Sequence, residues 1–278
     1  MQDIKKIFWL EKFDSFYVSG KDAKKFLNGI TTGNILNAEN QVIKTCWLTP
    51  NGVLRSIIEI IFFEDKLEVI ILAGNASEII DFFNQIIFPA DDVFLSEPLS
   101  VNRIQEIDEL SSWKTYKPIF FKNNDKEFEI YKKKLNLLNS NDLKHWKINQ
   151  AIPALDMEIN GKNNPLELGM KDLIDFNKGC YLGQETMSKI KNVSSLKQEI
   201  RVWKSFDSDF NLEVEDKNLY TNSAKENSVG KITSFCKSAS HVKGLAMIKR
   251  KYLVEGSYCY SEIFGKIIIN KSVGSNFL

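Results

Sequence analysis

The sequence predicts an α+β fold in which antiparallel strands are interspersed with helices, followed by a small β-barrel at the C-terminal end. Three observations predict it. Short apolar runs of strand length, "SIIEIIFF" from Ser56 and "LEVIILAG" from Leu67, are joined by turn formers rather than by long crossovers. A few stretches between such runs carry apolar residues at helical spacing instead. After about Lys197 the helical spacing stops, and only short strand-like runs separated by polar and glycine-bearing turns remain.

Element by element, Phe16 to Val18 reads as a short strand, and "SGKDAKKFLNGI" as a turn and helix whose apolar positions are Ala23, Phe26, Leu27 and Ile30. Strands follow at Lys44 to Leu48 and Leu54 to Phe63, with Pro50, Asn51 and Gly52 as hairpin turn formers. Leu67 to Leu72 is the next antiparallel strand. Asn75 with Glu78 three residues on is a capping pair, and Ala76, Ile79, Ile80, Phe83 and Ile87 form one face of the helix it opens, which Pro89 closes. Further strands are expected at Val93 to Leu95 and Phe128 to Tyr131, with a helix over Ser140 to Gln150 started by "NSND". The barrel is expected from "EIRVWKSF", "VGKITSFC", "HVKGLAMIKRKY" and "GKIIINKSV", and the polar stretch from Phe206 to Ser228 as a loop or partly an edge strand. The division predicted is residues 1–196 and 197–278.

Composition narrows the function. A chain of 278 residues, 43% apolar and 26% charged, buries a sizeable core. The formal charge of +1 provides no global field towards nucleic acid or an anionic membrane, so a transfer RNA contact is open but not indicated. The lysine-rich "YKKKLNLL" and "IKRKYL" read as solvated faces. No apolar run has membrane-spanning length, and the first sixteen residues lack the apolar centre of an export signal. Cys46, Cys180, Cys236 and Cys259 lie far apart, away from His145 and His241 and without a CxxC, which predicts no protein-only zinc site and a reducing, cytoplasmic setting. Cys46, Cys236 and Cys259 sit in strand-like runs, where cysteine acts as a small hydrophobe.

Cys180 stands in a different setting, "FNKGCYLGQETMSKI". With a helix beginning near Gly183, the thiol sits at its mouth beside Lys178, and both influences favour a thiolate. Glu185 in the first turn suits the same helix end, though close to the sulfur it opposes ionisation. Gly179 and Gly183 allow a sharp turn and close approach. The same residues also describe a glycine-flanked turn with a packed cysteine and tyrosine, and spacing does not choose between the two.

The run Lys178 to Glu185, KGCYLGQE, resembles the K-G-C-Y/F-x-G-Q-E signature of the YgfZ family, folate-binding relatives of the glycine-cleavage T-protein that include mitochondrial iron–sulfur assembly factors. "FYVSGKDAKKFLNGITTGNI" and "WLTPNGVL" are similar to the family's opening segments, "INQAIP" and "NPLELGM" to those before the motif, and "VGKITSF" with "KGLAMIKRKY" to its C-terminal barrel. The resemblance implies a T-protein-like folate-binding domain before the barrel and tetrahydrofolate or another folate as cofactor. Cys180 and Lys178 would be the working pair, with Tyr181, Gln184, Glu185, Asn149, Asn34 and Lys189 as folate contacts. It implies an auxiliary role in iron–sulfur cluster assembly or repair, with folate and iron–sulfur assembly or client proteins, among them enzymes that modify transfer RNA, as partners. The sequence departs from the relatives at several points. Arg55 and Ser56 stand where the T-protein carries its working carboxylate, Asn149 stands for its pterin-contacting glutamate, and Asn34 for an aspartate. Ser188 and Lys189 replace a frequent Ala-Arg. A folate-dependent one-carbon transferase and a non-catalytic folate-binding scaffold are the alternatives.

Overall fold

The computed structural model describes residues 6–38, 41–108, 112–115, 117–123, 125–191, 196–207, 210–238 and 240–272. Part of the N-terminal segment read for an export signal, and residues 208–209 of the polar stretch, lie outside these. Seven antiparallel strands form one sheet, in the order β2 (Ile43–Leu48), β3 (Leu54–Phe62), β4 (Lys66–Ala73), β1 (Ile7–Ser19), β6 (Leu99–Ile107), β7 (Ile119–Lys122), with β5 (Phe94–Leu95) also on β1. Its axis is β1. This strand pairs with β6 through Ile7 to Ser15 and with β4 through Asp14 to Ser19, so it is thirteen residues long where the sequence suggested three.

Side-chain alternation gives the sheet two different faces. Phe16 and Val18 of β1, Ile58 and Ile60 of β3 and Val69 and Ile71 of β4 pack against α1 (Ala23–Ile30) and α2 (Ala76–Ile86). The capping pair forms as expected, with Asn75 Oδ1 accepting from the Glu78 N–H at 3.1 Å. The opposite face carries Trp9, Cys46 and Ile57 and meets α4 (Ser140–Asn149) and the segment from Ala151 to Ile174. That core continues into the barrel through Ile200, Val202, Leu245 and Met247.

Phe128 to Tyr131 is helical, a correction to the strand expected there. It lies in α3 (Lys126–Lys132), where Asp125 caps the first turn by accepting from the Glu127 N–H, and Phe128 is its one buried residue. A short apolar run does not distinguish helix from strand by itself; the cap decides here. Strands β6 and β7 were not anticipated. Beyond α5 (Gln184–Ile190), six strands close into a barrel: β8 (Gln198–Ser205), β9 (Asn218–Tyr220), β10 (Ser228–Lys237), β11 (Val242–Lys249), β12 (Tyr258–Ser261) and β13 (Gly265–Asn270). β9 arises from the polar stretch and closes the ring by pairing with both β10 and β12.

Candidate functional site

The KGCYLGQE run joins a short 3-10 turn at Lys171–Leu173 to α5, and it is anchored on the end of α1. The Lys178 ammonium is buried and donates to three carbonyls, Asn28 O at 2.6 Å, Thr31 O at 2.8 Å and Gly33 O at 2.6 Å. All three N–H groups are thereby spent. Asn28 lies in the last turn of α1, Thr31 caps the helix and Gly33 follows it, so the ammonium closes the negative end of the helix and the loop beyond. Burial pulls the lysine pKa down to about 8, with Asp175 partly offsetting it. The adjacent main chain follows the same anchor, as the Leu182 N–H donates to Gly29 O at 2.9 Å.

Two glycines set the other side of the run. Gly52, at φ +76°, belongs to the β2–β3 turn, and Gly183, at φ +83°, precedes α5. A Cβ on Gly183 would lie 2.7 Å from the Thr49 carbonyl oxygen and 3.2 Å from the Gly52 Cα, and one on Gly52 would lie 2.8 Å from Thr186. Both positions demand glycine twice over, by backbone conformation and by space. Tyr181 is buried between these contacts with its hydroxyl unpartnered among the described residues, and burial first, then Cys46 and Asp175, raises its pKa to about 12.

Against this fixed frame, Cys180 is exposed, while Cys46, Cys236 and Cys259 are buried in β2, β10 and β12. Burial pushes Cys46 up to about 12 and Cys259 to about 11. Cys236 is also raised by burial, and its sulfur lies 3.1 Å from His145 Nδ1.

The remaining residues singled out in sequence divide into two groups. Gln184 opens α5, half-buried, and Glu185 and Lys189 pair with each other on its exposed side, which lowers the Glu185 pKa through the Lys189 hydrogen bond. Asn34 adjoins the Lys178 cradle, its Oδ1 accepting from the Asn37 N–H at 3.3 Å. Asn149 lies elsewhere. It accepts from Lys243 of the barrel at 2.9 Å and lines a cleft with Asp108, His145 and Trp146.

A cavity of about 380 Å³ opens on the inner face of the sheet, and none of the residues just named lines it. Its walls include Trp9 and Phe13 of β1, Ile57 of β3, Gly74 and Trp113. Two acids line it, Asp14 and Glu11, and Glu11 accepts from Trp9 Nε1 at 2.7 Å and from Lys147 of α4. Beneath it, Arg103 grips Glu59 through two bonds of 2.7 and 2.8 Å and stacks on Trp9, its centre 4.5 Å from the ring. Sequence reading missed Glu11. The available signal was the alternation Trp9, Glu11, Phe13 along one strand face, concealed by reading the strand as beginning at Phe16. Among the described residues no group of three or more His, Cys, Asp and Glu side chains could hold a metal, and no helix is long and apolar enough to cross a membrane.

The fold is similar to that of a glycine-cleavage aminomethyltransferase. The crystal structure of glycine cleavage system aminomethyltransferase T from Bartonella henselae superposes with a TM-score of 0.75 at 11% identity, over 96% of this chain and 86% of that one. By sequence, a chloroplastic Arabidopsis thaliana protein provisionally named a transferase is 33% identical over 107 residues, 38% of this chain. The match spans only 23% of that relative's length. No family model matches the chain.

Proposed function

We propose that the chain is a folate-binding auxiliary protein supporting iron–sulfur cluster assembly or repair, and through it cluster enzymes such as those that modify transfer RNA. Cys180 is its working thiol. The observation that carries this reading is the contrast inside KGCYLGQE: Lys178, Tyr181 and Gly183 are locked into the fold, while Cys180 between them is exposed and its three fellow cysteines are buried. A rigid frame around a free thiol suits a group that meets a partner. Four protein ligands usually hold a cluster, so one cysteine acts on it only together with a client or assembly protein. Residues 1–196 are then the folate-type unit and 197–278 the barrel unit.

The cavity fits a folate in size and chemistry. A volume of about 380 Å³ lies within the range of small-ligand sites, aromatic walls suit a pterin, and Glu11 supplies an acceptor for its amino and ring N–H groups. A bound folate would supply the capacity to carry a one-carbon unit; the chain's own contribution is to orient it between Trp9, Phe13 and Trp113. A one-carbon transferase is the second reading, favoured by the fold and by the relative's name. Against it, Arg55 is an exposed cation and Ser56 a buried hydroxyl where a working carboxylate would be needed.

The test replaces Cys180 with serine in cells otherwise lacking the protein and measures the activity of an oxidant-sensitive cluster enzyme, alongside calorimetry of the purified variant with tetrahydrofolate. Activity falling to that of the deleted strain, with folate binding intact, is expected. Full activity with serine would remove the thiol from the proposal, and no heat with the wild-type protein would remove the folate.

A further inference from the structure

Glu11 of β1 and Lys147 of α4 line the cavity on the inner face of the sheet and form an ion pair there, their side chains 33% and 28% exposed. A single carboxylate oxygen carries all the bonds. Glu11 Oε2 accepts from both Trp9 Nε1 and Lys147 Nζ, whereas Oε1 has no hydrogen bond among the described residues. The ammonium spends one of its three N–H groups on that bond, has no other acceptor among the described residues, and lies 5.2 Å from the centre of the Trp9 ring. Each partner keeps unused capacity, an acceptor on one and donors on the other. Lys12 and Asp14 line the cavity as well, but both are exposed and neither has an ion pair among the described residues. A charge that moves freely selects little, whereas two groups fixed to each other and to an indole present one pattern.

A ligand edge that meets this pattern brings an N–H to the carboxylate and, beside it, an acceptor to the ammonium. The cis-amide of a lactam is such an edge. A 4-oxopteridine carries it as the C4 carbonyl and the N3–H, with the 2-amino group as a further donor. A 4-aminopteridine reverses both groups, setting an amino donor against the ammonium and a bare ring nitrogen against the carboxylate.

We propose that Lys147 determines specificity in this cavity, selecting pteridines with an oxo group at position 4 over those with an amino group there. The inference rests on the folate reading above and adds what Glu11 alone does not supply. A lone carboxylate also accepts a 2,4-diaminopteridine, which takes up a proton on N1 and pairs through that N–H and its 2-amino group. The Lys147 ammonium opposes this mode, because it repels a protonated ring held beside it.

The test is calorimetry of the full chain with tetrahydrofolate and with its 4-amino-4-deoxy counterpart, which differs from it at that edge. Tetrahydrofolate is expected to bind at least about tenfold more tightly, the worth of one charge-assisted hydrogen bond. In Lys147→Met the preference should vanish or reverse, since the carboxylate is then alone; in Lys147→Arg, which keeps a cationic donor, it should persist. Equal affinities in the wild-type chain, or a preference that Lys147→Met leaves unchanged, would overturn the inference while the folate reading stands. No heat with either compound would remove the folate reading and this inference together. The wild-type comparison decides the matter even where a variant does not fold.

Discussion

Two of the buried positive charges, at Lys178 and at Arg103, are satisfied in opposite ways. Lys178 is neutralised by dipoles, three main-chain carbonyls at the end of one short helix. Arg103 is neutralised by a full charge, the Glu59 carboxylate of β3, with β4 and β1 lying between the two strands and Lys44 also 3.5 Å from it. The first arrangement leaves no donor over. The second leaves the Arg103 Nη1 without a partner among the described residues and depends on a single carboxylate. Dipolar satisfaction is distributed and local, whereas the ion pair concentrates its whole balance in one residue.

The largest effect should come from Glu59→Gln, which strands Arg103 in a fully buried position. A loss of about 3–5 kcal/mol is expected in denaturant unfolding, because removing one partner of a buried pair leaves an uncompensated charge. A loss under about 1 kcal/mol would mean that the ion pair is no more concentrated than the lysine cradle. Lys178→Met should cost less, about 2–3 kcal/mol, since it leaves neutral carbonyls rather than a full buried charge without partners. The same variant separates two roles of the lysine. If alkylation of native Cys180 proceeds at an unchanged rate, the lysine is an anchor; if it slows, the ammonium also activates the thiol. In either case Cys180 should be modified in the native protein before Cys46, Cys236 and Cys259, which peptide mass spectrometry after brief exposure to iodoacetamide checks.

How far the sequence reveals these two centres differs for the same reason. Lys178 stands in a contiguous run, and α1, whose end it closes, shows clear helical spacing, so the region was legible even though the lysine's carbonyl partners were not. Arg103 lies on β6, whose sequence "LSVNRIQEI" places Asn, Arg and Gln inside what became a buried strand. Polar residues in a fully paired interior strand break the alternation on which strand recognition depends. Their reason is Glu59, 44 residues from Arg103, and the Trp113 carbonyl that accepts from Gln105, partners visible only once the sheet is assembled. Asn149 is a comparable case: the resemblance implies a ligand role for it, and its partner in the folded chain, Lys243, is likewise distant in sequence.

Gly183→Ala is the next smaller perturbation, about 1–3 kcal/mol, combining a left-handed backbone with contact against the Thr49 carbonyl. Comparing its urea midpoint with that of Gly179→Ala, where an added Cβ meets nothing within 4 Å, isolates the packing contribution. Tyr181→Phe is the smallest and opposite in sign. Removing a buried, unpartnered hydroxyl should stabilise the protein by about 1 kcal/mol at neutral pH. The variant should also flatten the alkaline limb of the stability curve. Tyr181 in the folded state holds its proton to about 12 against an ordinary 10.0, so the unfolded chain ionises first and the fold loses stability as pH rises from 10 towards 12. The slope that disappears is at most about 1.4 kcal/mol per pH unit. Destabilisation by phenylalanine would reveal a partner for the hydroxyl that the folded chain alone does not provide.

The apolar core on the inner face of the sheet runs without a break into the barrel, joining Trp146, Ile159 and Leu166 to Ile200, Leu245 and Met247. Cutting the chain near residue 196 would uncover both halves of that core. Thermal unfolding should accordingly be one cooperative event, with calorimetric and van't Hoff enthalpies in agreement rather than two separable melts. A partner that gripped the barrel alone would, through this common interior, raise the resistance to unfolding of the frame that holds Cys180.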